Sequence, residues 1–172
     1  MLEISESMIN ESCDQIAEMQ QKLGHTIQSF SIDYLVEQIR KKHFFIPTFH
    51  RPLVWNKGQQ RRFIESVILG FPIPFMFIAY TDDKEQFDIL DGSQRLLTLE
   101  AFMSNRLRLE NLEILLSLNG LRFSELPLSQ QVQLKSRKLS VFILYKTAPL
   151  DIQQQMFRLF NSARLTARIG DR

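Results

Sequence analysis

Residues 87–99 read Phe-Asp-Ile-Leu-Asp-Gly-Ser-Gln-Arg-Leu-Leu-Thr-Leu: an apolar run meets Asp91-Gly92-Ser93-Gln94-Arg95 and continues at helical spacing. A strand, a glycine-containing turn and a helix start, in that order, suit phosphate chemistry. Backbone N–H groups at a helix N-terminus carry partial positive charge that favours an anion. Gly92 can take positive φ and let an anion approach the backbone. Ser93 offers a hydroxyl, Gln94 a donor and an acceptor, and Arg95 a planar fork matched to phosphate oxygens. Asp91 would repel a phosphate unless it holds a cation such as Mg²⁺, orients a water or pins the turn. A plainer reading stands beside this one, with Asp91 as a helix N-cap and Arg95 on the surface.

Two further segments set polar residues among apolar anchors. In residues 46–55, Ile-Pro-Thr-Phe-His-Arg-Pro-Leu-Val-Trp, a strand leaves the core at Ile46 and Pro47 ends its pairing. Arg51 lies between Phe49 on one side and Leu53 and Trp55 on the other, so the chain presents it. His50 could titrate, contact a base or satisfy a local hydrogen bond, and Trp55 reads as the anchor of the next helix. In Phe157-Arg158-Leu159-Phe160-Asn161 the two Phe face the core and Asn161 falls at a helix end, where it can cap.

Charge is segregated along the chain. Of 172 residues, 21 are Lys or Arg and 19 Asp or Glu, a net charge of +2. Residues 1–39 hold seven acids and one Lys, whereas residues 40–62 hold seven basic residues and no acid. A basic body behind an acidic arm suits an anionic partner. Lys41, Lys42, His50, Lys57, Arg61 and Arg62 are the candidate contacts to DNA phosphates; the same cations could equally decorate solvated helix faces.

The elements that must position these groups follow from periodicity and caps. Helices are expected over 8–23, from a Ser31 cap to residues 40–42, from an Asn56 cap to Gly70, and over 96–102, 129–137 and 150–160. Strands are expected over 25–30, 44–46, 75–80 (a central strand), 87–90 and 139–145, with 75–80 and 87–90 as a hairpin-like pair. Residues 106–118 fit strand or helix. The result is an α+β domain, a small mixed sheet flanked by helices, with residues 1–24 as an acidic helical arm and 25–172 as one compact unit.

Composition excludes several classes. One cysteine, Cys13, rules out an internal disulfide and a Cys-based zinc site, and three scattered His argue against a His-rich metal centre. The 14 Phe point to a Phe-rich core. The longest apolar run, 71–80, contains two prolines and is far shorter than the ~20 residues of a spanning helix. Glu3 replaces the positive charge of a signal peptide. The expected compartment is the reducing cytoplasm, with no membrane partner.

Taken together, IPTFHRPLVW, WNKGQQRRFIESVILGFPIP, FDILDGSQRLLTL and MFRLFN occur in the order and spacing of one domain. The chain resembles, over roughly residues 28–166, the N-terminal domain of GmrSD-type, modification-dependent restriction enzymes, bacterial proteins of phage defence. That domain belongs to the ParB/sulfiredoxin-like superfamily. The resemblance implies a ParB-like α+β fold whose Asp-Gly-x-Gln-Arg motif binds and hydrolyses a nucleoside triphosphate, with turnover coupled to DNA recognition or cleavage. On matching positions it gives Asp91, Gly92, Gln94 and Arg95 the phosphate and hydrolysis role, and Arg51 and Asn161 the places of the family's motif Arg and Asn. With the residue chemistry above, catalysis is expected of Asp91, Gln94 and Arg95, nucleotide or phosphate contacts of Gly92, Ser93, Arg95, Arg51 and Asn161, and Mg²⁺ at Asp91. Sulfiredoxin chemistry is excluded, because it needs a Cys where this loop reads Gly-Ser-Gln-Arg.

Three departures qualify the match. His50 stands where the family usually has Gln. The segment after Asn161 keeps Leu165 but lacks the following acid. No His-Asn-His nuclease motif follows, so the domain is expected to be truncated at its C-terminus and any nuclease to reside on a separate chain. Three readings stay open: an NTP-hydrolysing sensor domain, a non-catalytic DNA- or nucleotide-binding module, and a subunit of a split enzyme in which the acidic residues 1–39 cover the basic surface. The nucleotide, the DNA feature and the oligomeric state are not encoded in any motif.

Overall fold

Ser31 closes a strand and opens a helix: its backbone is extended and its side chain accepts from the Tyr34 N–H, 3.2 Å, satisfying one of the helix's orphan donors. A stronger version recurs at Asn56, whose side chain accepts from the Gln59 N–H while the Gln59 side chain accepts from the Asn56 N–H, a reciprocal capping box. The computed structural model describes residues 5–22, 24–46, 55–81 and 86–145, together with 151, 152, 154–156 and 158.

The elements run α1 (Glu6–Lys22), β1 (His25–Ser31), α2 (Ile32–Arg40), β2 (Phe44–Phe45), α3 (Lys57–Leu69), β3 (Met76–Tyr80), β4 (Phe87–Asp91), α4 (Ser93–Met103), α5 (Leu128–Ser136) and β5 (Lys138–Leu144). The strands form one mixed sheet in the order β1-β5-β3-β4-β2. Antiparallel pairs join β1 to β5 and β3 to β4, and parallel pairs join β3 to β5 and β2 to β4. The α+β expectation, the central place of 76–80 and its antiparallel pairing with 87–91 are all found. Residues 151, 152, 154–156 and 158 are helical, as expected for that stretch.

One sheet face carries Met76, Ile78, Ile89, Leu139, Val141 and Ile143 and packs with α2, α3 and α4 into the main core. Each of these apolar side chains removed from water contributes about 1.5–3 kcal/mol. The opposite face holds a smaller cluster of Ala79, Leu90 and Leu144, with Phe77, Phe142 and Met156 against it.

Three expectations need correction. Apart from Phe102 and Met76, the largest fully buried side chains are Leu and Ile, so the core is chiefly aliphatic. Many of the Phe sit half-exposed on the sheet and its rims, because rings can be shielded on one face there. Residues 106–118 form neither strand nor long helix, apart from a 3-10 turn at Leu116–Leu118. Their strand-like alternation buries Leu107, Leu109 and Leu112, while the backbone bonds locally, Leu109 N–H to Leu121 O and Gly120 N–H to Leu109 O. Finally, α4 begins at Ser93, so Ser93, Gln94 and Arg95 form its first turn. The acidic α1 is exposed along nearly its whole length.

Candidate functional site

β4 ends at Asp91, and the chain turns at Gly92 into α4. Gly92 is the helix N-cap, with φ 100° and ψ 3°, a left-handed conformation that glycine adopts without steric cost. A Cβ at this position would stand 2.6 Å from Met76 Cγ. The positive φ expected of Gly92 is present, but the space a side chain would fill belongs to Met76 and not to an approaching anion.

Arg95 is 4% and Asp91 8% exposed, which overturns the plainer reading of a surface Arg and an N-capping Asp. Arg95 Nη2 lies 2.7 Å from Asp91 Oδ2 and donates to Phe75 O at 3.1 Å, while Nη1 donates to Pro74 O. Residues 71–75 precede the sheet, so these two carbonyls need donors from elsewhere. One planar guanidinium thus ties the end of β4, the first turn of α4 and the entry to β3 together.

Gln94 faces another segment. Its Oε1 accepts from the Trp55 N–H at 3.1 Å, and from the opposite side Gln60 Nε2 donates to Trp55 O at 3.0 Å. The Trp55 indole meets the Phe63 ring edge-to-face, centroids 5.4 Å apart. Gln60 is buried, and its Oε1 has no hydrogen-bond partner among the described residues. The Asp-Gly-Ser-Gln-Arg turn and the Trp55 segment, 39 residues apart in sequence, are therefore joined by direct bonds. Arg51, His50 and Asn161 lie outside the described residues.

Between these parts opens a cavity of about 400 Å³, lined by Trp55, Phe63, Ser66, Phe71, Pro72, Ile73, Pro74 and Arg95. Sequence reading found Trp55 and Arg95 but missed the rest of the wall. The Pro72-Ile73-Pro74 corner was the available signal, since two prolines fix a rigid segment ahead of a central strand.

The candidate DNA contacts are largely neutralised in space. Lys41 Nζ lies 2.7 Å from Glu37, Arg61 pairs with Glu110, and Arg62 stands 3.6 Å from Glu113. Arg40 approaches Glu100 at 3.9 Å. Lys42 and Lys57 are exposed and have no ion pair among the described residues.

Asp91 offers Mg²⁺ a poor site in this arrangement, because a guanidinium already sits on Oδ2. Among the described residues no three His, Cys, Asp or Glu gather as metal ligands, and no helix is long and apolar enough to cross a membrane.

A family model for the GmrSD restriction endonuclease N-terminal domain matches residues 32–167, most of the chain and all four motif segments. The chain belongs to this family. As a GmrSD N-terminal domain it is a component of a restriction-type phage-defence system. The match begins where α2 begins, so the acidic α1 and the edge strand β1 lie outside it. No curated protein and no solved structure matches the chain significantly.

Proposed function

We propose that this GmrSD N-terminal domain is a nucleotide-binding sensor that hydrolyses a nucleoside triphosphate while its system engages DNA. The observation that carries the reading is the strand–Gly92–helix turn placed beside a cavity of about 400 Å³, with Arg95 in its wall. A guanidinium locked inside the fold with no cavity before it would have removed the idea. In this reading the first-turn amides and Ser93 hold phosphate oxygens. Gln94 keeps the Trp55 segment against the turn and orients the attacking water. Mg²⁺ comes with the nucleotide and is held chiefly by phosphate oxygens. Asp91 and Arg95 fix the geometry of the turn. Arg51 and Asn161 are proposed phosphate contacts on family grounds, and a separate nuclease chain is the proposed partner.

The test is a thermal-shift panel of the four ribonucleoside triphosphates with and without Mg²⁺, joined to phosphate release. A specific triphosphate should raise the melting temperature by mass action, and Gln94→Ala should lower turnover at least tenfold with the fold intact. Unchanged turnover in Gln94→Ala would exclude that residue from the chemistry.

One observation favours a second reading, a non-catalytic binding module. Arg95 donates to two carbonyls and a carboxylate, so its charge is already matched. Nucleotide affinity without phosphate release, with or without DNA, would select this reading over the first.

A further inference from the structure

We propose that the cavity bounded by Trp55, Phe63, Phe71 and the Pro72-Ile73-Pro74 corner receives the nucleobase of the ligand, specifically a base with an exocyclic amino group, and not its phosphates. This rests on the nucleotide reading and narrows it.

Charge decides against phosphate. Apart from Ser66 and Arg95 the lining is aromatic, proline or aliphatic, and the Arg95 charge is matched by Asp91 at 2.7 Å. A polyanion moved into such a space would lose its hydration without gaining an unmatched cation. Size and shape suit a flat ring. About 400 Å³ lies within the range of small-ligand pockets, and Trp55, Phe63 and Phe71 offer aromatic faces and edges for stacking. Phe71 is 50% exposed, so the cavity can be reached from solvent.

Ser66 sets the polar preference. Its hydroxyl donates to Arg62 O at 2.9 Å, so toward a ligand the oxygen can only accept. An N–H donor on the ring edge completes it, whereas a carbonyl there meets lone pairs.

Trp55 is the single tryptophan of the chain, so its emission reports directly on the cavity. Wild-type protein is titrated with adenosine, cytidine, purine riboside (adenosine without its amino group), sodium tripolyphosphate and ATP. Adenosine and cytidine should shift the emission and saturate, purine riboside should bind about fivefold more weakly, and tripolyphosphate should leave the emission unchanged. Ser66→Ala should abolish the preference for adenosine over purine riboside, and its unchanged circular dichroism would show that it folds. A shift with tripolyphosphate and with no nucleoside overturns the proposal. So does equal binding of adenosine and purine riboside. Calorimetric ATP binding that adenosine does not displace overturns the base assignment but leaves the nucleotide reading intact. Nucleoside binding without any gain from the triphosphate sinks the nucleotide reading and leaves the cavity assignment standing.

Discussion

The guanidinium of Arg95 meets Asp91, Pro74 O and Phe75 O in a region almost closed to water, so removing either charge strands the other. Breaking a buried pair costs about 3–5 kcal/mol, while replacing both partners with apolar groups is far milder. Asp91→Asn and Arg95→Met should each destabilise by roughly 3 kcal/mol or more, and the double variant by clearly less than their sum. Urea unfolding of the three variants checks this, and additive losses would deny the coupling. Glu65 is a second residue of this kind. Its buried carboxylate accepts from the N–H groups of Glu113, Ile114 and Leu115 at 3.2, 2.8 and 2.7 Å. Burial pushes its pKa upward, but the bonds from Leu115, Ile114 and Glu113 outweigh burial and hold it below the ordinary 4.5. A folded-state acid stronger than the unfolded one stabilises fully above the unfolded pKa and loses that contribution as pH falls through the folded value. Glu65→Gln should therefore cost about 1–3 kcal/mol at pH 7. The penalty should shrink as pH drops below about 4.5, as read from melting curves across pH. A penalty that holds constant with pH would mean the carboxylate is not the anchor of residues 113–115.

At the scale of elements, the β4–α4 junction depends on one missing side chain. Gly92→Ala imposes left-handed strain and drives a methyl against Met76, 2.6 Å from Cγ, for an expected loss of about 3 kcal/mol. Removing the neighbour's Cγ relieves only the clash, so the Gly92→Ala loss measured in a Met76→Ala background should shrink in part and no more. Chemical denaturation in both backgrounds measures it; full recovery would mean that backbone conformation is not the constraint. The Asn56 capping box, which fixes the start of α3 beside Trp55, is worth about 1 kcal/mol against Asn56→Ala.

For the whole molecule, electrostatics separate sequence from structure. Residues 40–62 contain no acid, yet Glu37, Glu100, Glu110 and Glu113 approach Lys41, Arg40, Arg61 and Arg62 in the fold. Surface pairs of this sort add little stability, but they reduce the positive field available to DNA. If the domain contacts DNA through this face, Lys42→Ala with Lys57→Ala should flatten the slope of log affinity against log salt by about 2. Glu110→Gln with Glu113→Gln should steepen it by up to about 2 by releasing Arg61 and Arg62. Fluorescence anisotropy across a salt series would show both changes, and a slope moved by neither variant would place the DNA contacts elsewhere.

What the chain determined by itself is mostly local. Ser31, Asn56 and Gly70 set helix limits because caps act within a few residues. The apolar runs of β3, β4 and β5 identify strands because one face repeats every second residue, and four ordered segments suffice to identify the restriction-enzyme domain. Only the tertiary structure decided that Arg95 turns inward to the carbonyls of Pro74 and Phe75, that Gln94 reaches Trp55, and that Met76 takes the space beside Gly92. It also decided that an acid-free stretch finds acids 49 to 60 residues away, as in Arg61–Glu110 and Arg40–Glu100. The physical reason is range. Caps, turns and alternation are settled between near neighbours, whereas the partners of a buried polar group are chosen by whichever distant elements the apolar core brings against it.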